Sequence, residues 1–190
     1  DLSALSGEAL RRERRAIGTV FQSSALLSRR TAWENVALPL AWLGVVERDI
    51  KARVGELLES VGLSHKADAW PAQLSGGQRQ RIGIARALIV EPEFIIADEP
   101  TTALDSMNQR EVVAQFHWIR ERFGSSLILV SHDLGVVRQL AQEVLVMKDG
   151  VGVEYGGAEL FSAPRHPYTR YLVDTRAALS KAFERVMRCR

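Results

Sequence analysis

Cysteine is almost absent from this chain: Cys189 is the only one in 190 residues, which excludes an internal disulfide framework and fits a reducing compartment. Charge of one sign is lacking too. The formal net charge of +2 gives no electrostatic case for nucleic acid, and the basic cluster Arg11-Arg12-Glu13-Arg14-Arg15 reads as the solvated face of a short helix. No apolar run reaches transmembrane length, since the nearest candidate, Val36 to Val46, is too short and contains Pro39. There is no signal peptide and no initiator methionine, and Asp1 to Ser6 reads as an extended segment cut into rather than begun. These absences leave a soluble or peripheral chain that meets a membrane only through a partner. With 46% hydrophobic and 25% charged residues it has material for one domain with a sizeable core.

What is there centres on Leu74 to Asp105. Ser75 and Gln78 have capping-box spacing, a hydroxyl at the N-cap and an amide-bearing side chain three residues on. Gly76 and Gly77 then fill the first turn, where each costs a helix up to about 1 kcal/mol relative to alanine. Backbone amides uncovered by any Cβ at a helix N-terminus suit an anion such as phosphate. An ordinary glycine-rich turn is the plainer alternative. Next, Phe94-Ile95-Ile96-Ala97 is a short apolar run of the kind found in strands covered on both faces, and it releases at once into Asp98 and Glu99. Alternation along a strand predicts that the two carboxylates point in different directions. One can then hold a divalent cation while the other faces a nucleophile, as phosphoryl transfer requires. A solvated strand end is again the plainer alternative.

Two further apolar strands end in polar residues. Ile17 to Phe21 runs into Gln22, and Leu127 to Val130 into Ser131-His132-Asp133. In a parallel α/β sheet such ends share one edge, where ligands bind. Taken singly, Gln22 is a polar strand cap and His132 a hydrogen-bonded structural histidine. Thr31 and Glu34 form a second capping box, with Val36, Leu38 and Leu40 opening an apolar face. Asp49 to Gly62 is an amphipathic helix that buries Ile50, Val54, Leu57, Leu58 and Val61. Helices are expected from Arg79 to Val90, to Phe123 and to Gln142, with Gly62 and Gly124 as C-caps. Lys148-Asp149-Gly150 turns the strand Val144 to Met147 into Val151 to Tyr155.

Leu74-Ser75-Gly76-Gly77-Gln78 resembles the signature motif of ATP-binding cassette (ABC) transporter ATPases, Phe94 to Glu99 their Walker B strand, and Ala103-Leu104-Asp105 their D-loop. The resemblance implies an α/β fold, a P-loop NTPase (RecA-like) parallel sheet with an inserted helical subdomain. It divides the chain into partial core (1–23), helical subdomain with signature (24–90), core continued (91–160) and tail (161–190). It makes Glu99 the general base, Asp98 the Mg²⁺ carboxylate, Gln22 a metal or water contact and His132 the switch that senses the γ-phosphate. Ser75, Gly76, Gly77 and Gln78 would meet the ATP of a second subunit, with Asp105 coupling the two. It implies as partners a second such subunit, transmembrane permease subunits and, indirectly, a substrate-binding protein, with the chain peripheral at the cytoplasmic face of the inner membrane. A groove beside Gln22 would receive the permease; Trp33, Leu40, Trp42 and Leu43 are its candidate lining, though core positions are the plainer assignment.

The phosphate-cradling stretch G-x-x-x-x-G-K-S/T does not occur. By the resemblance, the first quarter of the domain is missing and the sheet has a gap between the strand leading to His132 and the one at Val144 to Met147. The chain alone should then hydrolyse ATP poorly or not at all. Ile84 to Leu88, Ile96 to Asp105 and Phe161 to Arg170, with His166-Pro167-Tyr168-Thr169, resemble peptide importers, while Phe21 to Leu40 is more like methionine importers. Oligopeptide or dipeptide uptake is the leading expectation and methionine uptake the alternative. The rivals are a non-catalytic fragment and a soluble ABC ATPase of translation or DNA repair.

Overall fold

The computed structural model describes residues 5–102 and 104–188. Ala103 of the D-loop stretch, Cys189 and most of the expected extended start lie outside the described residues. The chain divides into two compact units between Val130 and Ser131.

The first unit runs α1 (Gly7–Arg15), β1 (Ile17–Val20), α2 (Ala32–Trp42), α3 (Glu47–Ser60), α4 (Gly76–Leu88), β2 (Phe94–Asp98), α5 (Ser106–Phe123) and β3 (Ser126–Val130). The strands form one parallel sheet in the order β1-β2-β3. Val20 pairs with Ala97, and Asp98 with Val130. Parallel neighbours need long crossovers; here α2 to α4 connect β1 to β2, and α5 connects β2 to β3. Ile95 and Ala97 are buried with Ile82, Ile84, Ala85 and Leu88 of α4 and Val112, Phe116 and Ile119 of α5. α4 is buried nearly all round, which is why a single apolar stripe (Ile82, Ala85, Ile89) understates it. Its far end is held from α3, where Arg53 Nε donates to the Ile89 carbonyl at 2.9 Å and the guanidinium pairs with Glu91.

α3 buries the expected side chains, and Gly62 (φ +69°) and Gly124 (φ +66°) close α3 and α5 in the left-handed conformation that glycine accepts without a Cβ penalty. α2 corrects the reading of its face. Its buried side is Ala32, Val36, Ala37 and Leu40 with Asn35, while Leu38 sits off it, because a spacing of two suits a strand and not a helix. Of the four groove candidates Leu40 is core, Trp33 is half-buried, and Trp42 (80% exposed) and Leu43 are on the surface.

The second unit contains α6 (Leu134–Leu140), β4 (Val144–Lys148), β5 (Val151–Gly156) and α7 (Pro167–Arg188). β4 and β5 form an antiparallel hairpin in which Lys148 pairs with Val151, so Asp149-Gly150 is the whole turn. Glu154 of β5 binds the loop ahead of α7, accepting from the amides of Arg165 (2.9 Å) and His166 (3.0 Å). His166 Nδ1 in turn accepts the Tyr168 amide at 3.2 Å, which caps the helix start. The His166-Pro167-Tyr168-Thr169 stretch therefore joins a hairpin to a helix. Among the described residues β3 pairs only with β2 and β4 only with β5, the two open edges expected from the sequence. No described helix is long and apolar enough to cross a membrane.

Candidate functional site

The parallel register brings the first group of expected residues to one edge. Val20 and Ala97 are paired neighbours, so Gln22 and Asp98 both lie just beyond them at the C-terminal end of the sheet. Both are exposed. The Asp98 side chain takes no hydrogen bond among the described residues, leaving its oxygens open to a hard cation. Glu99 behaves differently. β2 ends at Asp98, and Glu99 turns out of the strand at φ +47°, a conformation that costs a non-glycine residue energy. Strand alternation, expected from the sequence to set its direction, therefore does not. The turn does. Its amide donates to the Val130 carbonyl at 2.9 Å, and its Oε2 accepts the Thr102 hydroxyl at 2.6 Å. Thr102 does not stand out in the sequence, although its place three residues after Glu99 is a turn spacing.

The second group is the start of α4. The capping box forms as expected: Ser75 Oγ accepts the Gln78 amide at 3.2 Å and Gln78 Oε1 accepts the Ser75 amide at 2.9 Å. Arg79 reaches back to the Leu74 carbonyl at 2.9 Å and fixes the approach to the turn. Two amides, those of Gly76 and Gly77, stay outside the box. Gly76 is exposed. Gly77 is buried, and a Cβ placed on it would stand 2.1 Å from Asn108 Oδ1 and 3.0 Å from Asn108 Cβ. The second glycine therefore answers to a neighbouring side chain, a reason the anion argument did not contain.

That neighbour links the turn to Asp105, the N-cap of α5. Asp105 accepts from the amides of Met107 (3.0 Å) and Asn108 (2.9 Å) and from Asn108 Nδ2 (2.6 Å). The bonds from the Asn108 amide and side chain, joined by that from Met107, hold the Asp105 carboxyl below the usual aspartate range. Leu104 lies beside Gly76, its methyl 3.6 Å from where a Cβ would be. The Gly76-Gly77 turn and the Leu104 to Asn108 stretch are thus in contact within one unit.

His132 belongs to the second unit, two residues past the end of β3, and is exposed. Asp133 beside it caps α6 through the Gly135 amide at 2.8 Å and pairs with Arg176 of α7.

A family model described as ABC transporter matches residues 1–102. The methionine import ATP-binding protein MetN of Bradyrhizobium diazoefficiens is 48% identical over 171 residues, covering 90% of this chain and 49% of the relative. MetN 1 of Rhodococcus jostii is 52% identical, covering 82% and 46%. The chain spans about half the length of these curated relatives. Among solved structures, a dimeric post-hydrolysis state of the ATP-binding cassette MJ0796 bound to ADP and Pi gives a TM-score of 0.72 at 36% identity, covering 82% of this chain and 68% of that one. CbiO1 of Clostridium perfringens, part of the transporter complex cbiONQ, gives 0.76 at 30% identity, covering 84% and 64%. The fold expectation holds, while nothing in these likenesses favours peptides.

Proposed function

Because the chain belongs to the ABC transporter family, we propose that it is ATP-binding machinery of a methionine importer. The observation that carries this is the 48% identity to MetN over 90% of the chain, joined to Gln22, Asp98 and Glu99 on one sheet edge. The peptide expectation is set aside, since the relatives reported are methionine import proteins and one of its three supports, the 166–170 stretch, has a structural task in holding Glu154 to the start of α7.

In this reading Asp98, with the Gln22 amide oxygen, holds Mg²⁺, and the exposed, unbonded Asp98 carboxylate fits such a cation. The ion would neutralise charge on the nucleotide phosphates. Glu99 takes the proton of the attacking water, its carboxylate aimed by Thr102. His132 senses the terminal phosphate. Ser75, Gly76, Gly77 and Gln78 present the α4 N-terminus to a nucleotide bound by a second subunit, and Asp105 transmits closure between the two. The permease subunits and, through them, a substrate-binding protein are the further partners, with this chain peripheral on the cytoplasmic face. No stretch G-x-x-x-x-G-K-S/T occurs in the 190 residues, so these 190 residues by themselves are expected to turn ATP over slowly or not at all.

Uptake of labelled methionine and of a labelled dipeptide, in cells with and without the coding region, tests the substrate. Loss of methionine uptake with dipeptide uptake intact is expected. The reverse pattern, or no change in either, overturns the assignment.

A further inference from the structure

The loop between β1 and α2 contains two consecutive residues in the left-handed conformation, Ser24 (φ +57°) and Ala25 (φ +44°), and neither is glycine. Such a backbone persists only where its surroundings over-determine it. One face of α4 does this. Arg86 Nη1 donates to the Ala25 carbonyl at 2.8 Å and Nη2 to the Ser24 carbonyl at 2.9 Å. Two turns earlier on the helix, Gln80 Nε2 donates to the Phe21 carbonyl at 3.2 Å, an oxygen that also accepts the Ser24 amide at 3.0 Å. Between them lies Gly83, where a Cβ would stand 3.3 Å from the Ser24 carbonyl oxygen. Residues 80, 83 and 86 share a face by their spacing of three, and Ser24, 3% exposed, is seated on that face. Gln22 lies between the anchored residues Phe21 and Ser24.

We propose that Arg86, assisted by Gln80, is a positioning residue that fixes Gln22 to α4, so that the sheet-edge glutamine and the signature turn at the start of that helix move as one body. A guanidinium offers two parallel donors in a rigid fork, which matches two successive carbonyls; an ammonium is a single point and cannot span them in the same way. Burial pushes the Arg86 guanidinium below the usual arginine value, in keeping with a group committed to the protein and not to solvent. The opposite end of the loop is held independently, since the Leu27 amide donates to Asn35 Oδ1 at 2.8 Å. The functional weight of this clamp rests on the nucleotide-binding function proposed for the chain, whereas its existence does not.

Residue-resolved amide exchange on the 190-residue chain tests it. In Arg86→Lys the Ser24 amide is expected to exchange about tenfold faster or more, with the Gln22 side-chain amide resonance shifted and Leu27 unchanged. Guanidinium ion added to Arg86→Ala should return the Ser24 rate and the Gln22 resonance towards those of the parent. An unchanged Ser24 rate overturns the proposal, as does equal acceleration at Ser24, Leu27 and the amides of α4, which reports general loosening. Should Arg86→Lys not fold, Gly83→Ala reads the same contact with Arg86 retained. It is expected to shift Ser24 and Gln22 and to spare Leu27, and no shift overturns the proposal. A clamp that behaves as described upholds the positioning role even where the uptake experiment fails, so the two readings fail separately.

Discussion

At the scale of the residue, the sharpest question is why Gly77 is a glycine. Phosphate approach and the close approach of Asn108 both require a missing side chain, but they make different demands on the rest of the protein. Asn108 cannot retreat freely, because its Nδ2 is bound to Asp105 at 2.6 Å. Gly77→Ala therefore sets a methyl group against a held side chain in a buried place, an overpacking that costs about 1–3 kcal/mol. With Asn108→Ala already in place the overlap with the amide group is gone. Only the tight 3.0 Å approach to the Cβ of residue 108 remains, set against a helix preference for alanine of up to about 1 kcal/mol. A double-mutant cycle in urea should show Gly77→Ala clearly destabilising in the parent and much less so beside Asn108→Ala. Equal cost in both backgrounds would show that Asn108 is not what the glycine makes room for. Phosphate recognition is separable, since it appears in nucleotide binding and not in unfolding.

At the scale of the element, the helices were the legible part. α3 follows from apolar residues at helical spacing closed by glycine, the end of α5 from its closing glycine, and α4 from its capping box. The strands were legible as apolar runs, and their shared edge follows once they pair in parallel. What stayed hidden were polar residues inside helices whose partners are distant backbone groups. Arg86 and Gln80 reach about sixty positions back along the chain, which periodicity cannot register. Asn35 is the clearest case, a fully buried amide on the core face of α2. Its Nδ2 donates to the carbonyls of Leu27 (3.2 Å), Arg30 (3.0 Å) and Thr31 (2.9 Å) while its Oδ1 takes the Leu27 amide. A polar residue at a core position of an otherwise apolar face was the available signal. Asn35→Leu keeps the volume and removes all four bonds, which strands polar groups at a cost of about 2–3 kcal/mol. Urea denaturation should lose that much, with exchange accelerated from Leu27 to Thr31. A loss below about 0.5 kcal/mol, the range of an ordinary surface change, would mean that water replaces the amide without penalty.

At the scale of the whole molecule, the open sheet edges dominate. Among the described residues β3 has a partner on one side only, and its outward residues Ile128 (52% exposed) and Val130 (50% exposed) are apolar. β4 likewise pairs only with β5 and exposes Leu145 and Met147. Natural edge strands are protected by charge, proline, bulges or brevity. β4–β5 has a register shift at Val146/Met147, whereas β3 is five residues of Ser-Leu-Ile-Leu-Val without a charge. An unprotected edge of this kind is a template for another strand, so the 190-residue chain on its own should associate as its concentration rises. Ile128→Lys puts a charge on the exposed face of β3 without touching the Val130 carbonyl that receives the Glu99 amide. Sedimentation velocity should show the parent moving to larger species between micromolar and higher concentrations and Ile128→Lys remaining smaller, with the same far-ultraviolet circular dichroism. A parent that stays monomeric throughout would mean that β3 is shielded and offers no template to a second strand. Association that persists unchanged in Ile128→Lys would move the contact to β4, where Leu145→Lys makes the same comparison.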